Sequence, residues 1–319
     1  MTAEPMQNRL ALSIVIPLYR SEACIPALLA RLEQLIIHEP WEIIFVDDGS
    51  PDRSHTLLLE RLSHSTLQAV VARHTRNFGE HQAVLSGYRL ARGTHVVNLD
   101  DDLQNPPEEA LRLWNHARNG GHDVVYGDYR QKQHASWRNL GSNFANFTTH
   151  FLLDLPGRFY LSSFRCVHSS TAKAVSRYQG PFPYIDGLIS QITQSIDSLE
   201  VQHESRHEGP SGYTLRRLVR LWLNIFTSFS LMPLRLASLL GLAMSVTGVI
   251  LIAAVVADTL IHGVVVAGWA SLLSAILFFG GVQCLLLGIA GEYLGRVLLT
   301  VGGKPQSCIR SITRLRNLW

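Results

Sequence analysis

Charged residues are scarce in this chain. Only 17% of its 319 residues are Asp, Glu, Lys or Arg, while 47% are hydrophobic. A soluble domain usually contains about 25% charged residues. The composition excludes a disordered or fibrous chain. Because the apolar residues are unevenly distributed, it favours a soluble domain combined with a membrane domain.

Cysteine is also scarce, and the common targeting and nucleotide-binding motifs are missing. The four cysteines are far apart and include no C-x-x-C pair, so the sequence indicates neither a disulfide scaffold nor a cysteine zinc site. The first apolar run, 10–18, is broken by Pro17 and lacks a cleavage pattern, so it predicts a strand rather than a signal peptide. There is no G-x-G-x-x-G, and Gly303-Lys304 is followed by Pro305, so the Rossmann-oxidoreductase and P-loop hypotheses lose their main support.

Residues 203–207 read H-E-x-x-H, the pattern of a zinc metalloprotease. That pattern works only on a helix that carries both histidines on one face. Here the preceding residues alternate as in a strand, and Gly209-Pro210 follows closely. The surroundings therefore argue against a protease helix, and a zinc membrane protease remains a remote alternative.

Two long apolar runs predict a membrane hairpin. Residues 236–257 and 264–291 carry no charge, and each reaches the length of about 20 residues that spans a bilayer. Basic residues lie before and after the pair but not between 236 and 295, so the positive-inside rule predicts that both termini are cytoplasmic. Residues 213–229 have the spacing of an interfacial amphipathic helix.

The N-terminal part alternates strand and helix patterns. This alternation predicts a largely parallel sheet with helices on both faces. In such sheets, ligands bind at the carboxyl ends of the strands. The predicted strands are 12–18, 41–46, 67–72, 95–99 and 123–126, and the predicted helices are 23–37, 54–62, 80–91 and 107–118.

Acidic residues concentrate at the predicted carboxyl ends of the strands. Asp47-Asp48 follow the second strand, and Asp100-Asp101-Asp102 follow the fourth. Three adjacent carboxylates repel one another unless they are fully exposed or hold a cation. Mg²⁺ or Mn²⁺ is bound by one or two carboxylates together with substrate phosphates. The pattern therefore predicts a nucleoside-diphosphate site with a divalent metal.

Four segments carry a resemblance to a known family: 13–17 (SIVIP), 46–52 (VDDGSPD), 76–79 (RNFG) and 99–107 (LDDDLQNPP). Together they resemble the family-two inverting glycosyltransferases of GT-A fold. With the membrane hairpin, almost the whole chain is similar to the polyprenyl-phosphate glycosyltransferases, which include the dolichol-phosphate mannose synthases and undecaprenyl-phosphate glycosyltransferases. The resemblance implies an α/β class with a Rossmann-like, mostly parallel sheet.

The resemblance also implies roles for individual residues. The donor-binding set is Pro17, Tyr19, Glu22, Asp47, Asp48, Asn77, Asp100, Asp101 and Gln104. The metal set is Asp100, Asp102 and Gln104, and the catalytic set is Asp102, Arg130 and Arg206. The acceptor-phosphate set is Arg138, Ser142, Ser211 and Tyr213. Where the family usually has Y-N-E after the first strand, this chain has Tyr19-Arg20-Ser21, with Glu22 one place later.

The sequence thus predicts an inner-membrane enzyme that moves a sugar from a nucleotide donor, expected to be UDP-linked, to undecaprenyl or another polyprenyl phosphate. We expect domains at 1–210 (catalytic), 211–233 (juxtamembrane helix), 234–291 (two spans) and 292–319 (basic cytoplasmic tail). Mg²⁺ or Mn²⁺ is the expected cofactor. A homo-oligomer is expected, with a tetramer favoured by the resemblance, and no nucleic-acid partner. The alternative is a silent nucleotide-sugar-binding module that partners a lipid flippase.

Overall fold

The computed structural model describes residues 10–129, 161–180, 183–202, 204, 232–262, 268–302 and 305–316. The chain divides into two compact units. The first comprises Met1–Val219 with Pro305–Trp319, and the second is Arg220–Lys304. The domain boundaries predicted above remain a prediction. The first unit, however, includes the C-terminal residues as well as the N-terminal ones.

The first unit is built around a single sheet. Its strands are β1 (Leu12–Leu18), β2 (Trp41–Asp47), β3 (Ala69–His74), β4 (His95–Asn98), β5 (Val124–Asp128), β6 (Arg165–His168), β7 (Ile196–Glu200) and β8 (Ile309–Leu315). The spatial order is β7-β5-β6-β4-β1-β2-β3-β8. β4, β1, β2 and β3 run parallel to one another, as the alternating sequence pattern predicts. The predicted α/β class is confirmed.

The sheet is mixed rather than wholly parallel. β6 runs antiparallel between β4 and β5, and β8 runs antiparallel beside β3. The sequence analysis identified neither strand. β6 is four residues long and contains an arginine and a histidine, so it lacks the apolar run of a buried strand although three of its residues are buried. Its place in the sheet depends on neighbours that are distant in sequence.

Among the described residues, six helices accompany the sheet, and the first four lie on the predicted segments, whereas the last two were not predicted. They are α1 (Ile25–Glu33), α2 (Ser54–His64), α3 (Glu80–Leu90), α4 (Pro107–Gly120), α5 (Ser169–Ser176) and α6 (Ile185–Ser190). α4 carries clear end signals, with Pro107 at its start, two glutamates in its first turn and the left-handed Gly121 (φ 67°) at its end. The prediction for α1 extended to residue 37, but the helix ends at Glu33. Beyond the helix, Ile36 is exposed, whereas Leu35 and Ile37 pack against the core, so the apolar residues that suggested a longer helix are covered without one.

The second unit contains two long helices, α7 (Met232–His262) and α8 (Trp269–Val301). α8 contains a stretch, Phe278–Val301, that is long and apolar enough to cross a membrane, and α7 contains a shorter apolar stretch, Ala237–Leu251. The second predicted span, 264–291, therefore begins before α8 and ends ten residues short of it. The predicted interfacial helix at 213–229 lies outside the described residues.

After the second unit, the chain returns to the sheet of the first unit. β8 pairs antiparallel with β3, with Val71 opposite Thr313, and the amide of Thr75 donates to the carbonyl of Cys308 (2.9 Å). Leu315 packs against the hydrophobic core. The sequence analysis assigned these residues to a basic tail, although in the strand Ile309, Thr313 and Leu315 are less exposed than the residues between them. The carboxyl segment is therefore part of the soluble fold.

Candidate active site

The predicted acidic segments meet at one edge of the sheet. β1, β2, β3 and β4 run in the same direction, so the segments that follow them lie together at their carboxyl ends. The amide of Asp48 donates to the carbonyl of Leu18 (2.9 Å), which joins the ends of β1 and β2. The expectation of one acidic edge therefore agrees with the strand directions.

Asp48 organises the loop between β3 and α3. Its carboxylate accepts hydrogen bonds from the amides of Phe78 (2.9 Å) and Gly79 (2.8 Å) and lies 2.7 Å from His74 Nδ1. The side chain is almost completely buried. Gly49 beside it has φ 65°, and a Cβ there would overlap the backbone of Arg76. The Asp-Asp-Gly segment is therefore shaped to hold the Asn-Phe-Gly loop, while contact of Asp48 with a nucleobase remains a prediction.

Asp47 has a different environment from Asp48. It is fully buried, accepts a hydrogen bond from the amide of Ser50 (2.9 Å) and pairs with Arg73 (Nε to Oδ2, 3.1 Å). His55 Nδ1 lies 3.6 Å from the same oxygen. These contacts stabilise the turn after β2. In this structure Asp47 therefore holds the loop that carries Asp48, and its contact with the donor remains a prediction.

The loop after β1 presents Tyr19 to solvent and Ser21 to the acidic cluster. Tyr19 is 44% exposed, and the guanidinium of Arg20 lies 5.6 Å from its ring centroid. The hydroxyl of Ser21 accepts from the amide of Tyr19 (3.0 Å) and donates to Asp101 in a short hydrogen bond. Glu22 accepts from the amide of Arg53 (3.0 Å), just before α2 begins. Sequence reasoning did not identify Ser21, and its position gave no signal.

The three adjacent aspartates have three different sets of partners. Asp100 accepts hydrogen bonds from Ser163 Oγ (2.7 Å) and Asn105 Nδ2 (3.3 Å). Asp102 Oδ1 accepts from the amide of Gln104 (3.1 Å), which closes a tight turn in which Leu103 has φ 60°. Burial, together with the charges of Asp100 and Asp102, raises the pKa of Asp101 to about 6. This crowding is what a bound cation would relieve, and the donor set fits a hard divalent ion.

Glu80 adds a fourth acidic group that the sequence analysis did not select. It is the first residue of α3 and follows the Asn-Phe-Gly segment. Desolvation within the protein and the charge of Asp100 raise the pKa of Glu80 above its usual value, although its side chain remains accessible to water. A carboxylate with a raised pKa can act as a general base, so Glu80 is a candidate for that role.

A buried charged layer supports the same part of the sheet. Arg165 on β6 forms a short ion pair with Asp186 on α6, and both residues are almost completely buried. The hydroxyl of Tyr126 on β5 donates to the same Asp186 oxygen (3.0 Å). The carboxylate of Asp186 is thus held by the fold.

Beyond β7, Glu204 contacts the acidic loop that follows β4. The amide of Glu204 donates to the carbonyl of Gln104 (2.8 Å), and the Glu204 carboxylate pairs with Arg31 (3.3 Å). Glu204 lies in irregular backbone rather than in a helix, which disagrees with a zinc-protease motif.

The other predicted site residues are placed as follows. Pro17 lies in β1 opposite Val46, and Asn77 is exposed. Six predicted site residues lie outside the described residues: Arg130, Arg138, Ser142, Arg206, Ser211 and Tyr213.

Comparisons with known proteins agree with this arrangement. The family model "Glycosyl transferase family 2" matches residues 13–173. The undecaprenyl-phosphate 4-deoxy-4-formamido-L-arabinose transferase of Pseudomonas aeruginosa (strain LESB58) is 35% identical over 309 residues, covering 95% of this chain and 90% of the relative. The enzyme of the same name from Pectobacterium atrosepticum is 34% identical over 301 residues, with coverages of 92% and 91%.

A solved structure supports the fold. Glucosyl-3-phosphoglycerate synthase from Mycobacterium tuberculosis, in complex with Mn²⁺, UDP-glucose and phosphoglyceric acid, superposes with a TM-score of 0.51. The sequences are 18% identical, and the match covers 69% of this chain and 78% of that one. With the matched family model and the curated relatives, this places the chain among the glycosyltransferases: it belongs to glycosyl transferase family 2.

Proposed function

We propose that this chain transfers a sugar from a UDP-sugar donor to undecaprenyl phosphate, giving a lipid-linked monosaccharide for modification of lipopolysaccharide. The observation that carries the proposal is the acidic edge of the sheet, found in a chain that matches undecaprenyl-phosphate sugar transferases over 95% of its length. The helix α8, which contains a stretch able to cross a membrane, suits an acceptor that resides in the bilayer.

The direct test is a panel of nucleotide sugars. The purified full-length protein is incubated with undecaprenyl phosphate and each donor in turn, and the lipid product is weighed by mass spectrometry. We expect one donor to give a product heavier by one sugar residue. A protein that binds a UDP-sugar but yields no glycolipid with any donor would favour the silent binding module instead.

Asp100 and Asp102 are the groups that would hold a divalent ion at the acidic edge, and Gln104, whose amide donates to Asp102, is assigned as the third ligand. Their oxygen donors suit Mg²⁺ or Mn²⁺. The Mycobacterium synthase, which shares the fold, contains Mn²⁺ together with UDP-glucose, and this supports the proposal without deciding between the two ions. When bound, such an ion stabilises the negative charge that develops on the departing diphosphate.

The acceptor reacts without a general base. A phosphate monoester has a second pKa near 6 and is already a dianion at neutral pH. One of its oxygens attacks the anomeric carbon, the bond from that carbon to the diphosphate breaks, and UDP departs with the electron pair, so the configuration inverts. Guanidinium groups can hold two anions close together, and we assign this role to Arg130, Arg138 and Arg206. Ser142, Ser211 and Tyr213 are assigned to the same phosphate.

Glu80 provides the test of this mechanism, because its raised pKa would suit a general base and the mechanism needs none. We expect Glu80→Gln to reduce turnover by less than about tenfold, whereas loss of a true general base costs about 10²- to 10⁴-fold. The rate at saturating donor is expected to fall as the pH drops through the second pKa of the acceptor, with the same midpoint in the variant and the wild type. The measurement is a pH-rate profile for both proteins.

Glu60→Gln, which removes an exposed carboxylate on α2, is the matched control. A hundredfold loss in Glu80→Gln but not in Glu60→Gln, with donor and acceptor binding unchanged, would contradict the mechanism without a base.

We further propose that the two long helices form a membrane hairpin with both termini in the cytoplasm. β8, which follows α8, belongs to the same sheet as β1, β2 and β3, which precede α7. A chain that leaves and rejoins one folded sheet must cross the membrane an even number of times, and the flanking basic residues favour the cytoplasmic side. Reporters fused before Met1 and after Trp319 are expected to read cytoplasmic, and a periplasmic signal at either end would contradict the hairpin.

The hairpin has features that suit self-association, and we propose a homo-oligomer, with a tetramer favoured. A Cβ at Gly241 on α7 would lie 3.5 Å from Leu286 on α8. At Gly248, Gly280 and Gly288, an added Cβ would meet no described atom within 4 Å. Small residues of this kind let helices of neighbouring copies approach closely.

A further inference from the structure

Three metal-ligating side chains meet at a place that the proposed reaction does not use. His116 lies near the end of α4, His122 follows that helix, and Asp197 lies on β7. His116 Nε2 is 2.8 Å from Asp197 Oδ2, and His122 Nε2 is 3.3 Å from the same oxygen. The ligand atoms of all three residues lie within 4.8 Å of one another.

This cluster is separate from the acidic edge. The acidic loop precedes α4, which runs from Pro107 to Gly120, whereas His116 and His122 lie at the opposite end of that helix. A 14-residue helix is about 20 Å long. The cluster therefore cannot share a metal ion with Asp100 and Asp102.

The end of α4 is shaped to bring the two rings together. Gly121 adopts the left-handed conformation (φ 67°), and the amide of His122 donates back to the carbonyl of Ala117 (3.1 Å). This turn places the His122 ring against Gly120, where a Cβ would lie 2.5 Å from its Nε2. The two imidazole rings are nearly parallel, at 15° with centroids 5.7 Å apart.

Asp197 is prepared as a ligand by its own surroundings. Its Oδ1 accepts from the amide of Ser198 (2.8 Å), which leaves Oδ2 directed at the histidines.

We propose that His116, His122 and Asp197 form a surface binding site for Zn²⁺ or a similar divalent metal ion. Two imidazoles and a carboxylate are a zinc ligand set, with a fourth position left for water. Neighbouring ligand atoms around tetrahedral zinc are about 3.3 Å apart, so the observed spacing needs only small side-chain rotations. Imidazole disfavours Mg²⁺, so this site and the acidic edge select different metals.

The ion would connect α4 to an edge strand. β7 is hydrogen-bonded to β5 on one side and is only partly buried. Beyond β7, the amide of Val201 donates to the carbonyl of Asp128 (3.2 Å), and that of Glu204 donates to Gln104 in the acidic loop. Zinc at one end of β7 therefore stabilises the strand that continues to the catalytic edge.

The test uses the full-length protein in detergent, with zinc as the probe. Zinc is titrated in competition with a chromophoric chelator, and thermal unfolding is followed with and without zinc. Wild type is expected to bind one more zinc equivalent than His116→Gln/His122→Gln. At a hundredfold excess over its Kd, zinc is expected to raise the melting temperature of wild type by about 5 °C more than that of the variant.

Two further variants make the result specific. Gly120→Ala keeps all three ligands but displaces the His122 ring, so it is expected to weaken zinc binding. This variant tests the site independently if the double variant folds poorly. His64→Gln, which removes an exposed histidine at the end of α2, is expected to bind zinc as wild type does. Magnesium is expected to affect wild type and the double variant equally.

The proposal is overturned if wild type and His116→Gln/His122→Gln bind the same number of zinc equivalents with equal affinity. It is equally overturned if His64→Gln loses the extra equivalent. Zinc bound elsewhere, for example by His203 and His207, contributes equally to wild type and variants and does not affect the difference.

Discussion

Replacing Asp102 with Asn is expected to lower the rate of sugar transfer about a hundredfold while the fold is preserved. Loss of one well-placed electrostatic contact to the developing charge costs roughly 3 kcal/mol, and a neutral amide is a poor ligand for Mg²⁺ or Mn²⁺. The turn itself should survive, because the Asn side-chain oxygen can still accept the hydrogen bond from the amide of Gln104. The measurement is the initial rate of glycolipid formation at saturating donor and acceptor.

Glu108→Gln provides the matched control for this prediction. Glu108 lies in the first turn of α4, is exposed and pairs with Arg31 at 2.9 Å, so its loss should leave the rate almost unchanged. Wild type treated with EDTA should lose activity and regain it on addition of Mn²⁺. Normal turnover in Asp102→Asn or in EDTA-treated enzyme would contradict the proposed metal role.

Replacing Asp186 with Asn is expected to lower the free energy of unfolding by about 3–5 kcal/mol. The Arg165 side chain, 2% exposed, would retain its charge without the carboxylate that neutralises it. A buried charge without a partner is costly even where the intact pair adds little net stability. Denaturant unfolding of the purified protein measures the change.

Two further variants distinguish the cost of an unpaired buried charge from the cost of altered packing or of losing an ordinary ion pair. Arg165→Met/Asp186→Leu removes both charges and should recover most of the lost stability, since apolar residues of similar size often replace a buried pair without cost. Arg118→Gln breaks an exposed pair with Glu39 and should cost less than about 1 kcal/mol. A double variant as unstable as Asp186→Asn would show that shape, not charge, governs this layer.

The sequence predicts best where one local signal is sufficient. β1 matches its predicted bounds because seven adjacent residues are apolar or small and nearly all are buried. α4 was predicted closely because proline, glutamates and glycine mark its two ends. β6 and β8 were missed because their pairing with strands distant in sequence, rather than their composition, makes them strands.

The same contrast holds for the candidate site. The acidic residues were predicted from their place after strands, and the parallel topology brings those segments to one edge. Their partners could not be predicted: Ser21 and Ser163 contact Asp101 and Asp100 from loops that are far away in sequence. The partly buried His116 and His122, on and just after α4, had no recognisable spacing, because their third partner, Asp197, lies on another element.

The pairing of β8 with β3 also constrains how the protein is made. β3 ends at His74 and β8 begins at Ile309, so the ribosome synthesises residues 75–308, most of the chain, between the two strands. At roughly 5–20 residues per second, the edge of β3 waits on the order of ten seconds or longer for its partner. During that time its unpaired backbone amides and carbonyls form an open sheet edge that can pair with other nascent chains. β8 therefore closes this edge only after the other strands of the sheet and both long helices have been synthesised.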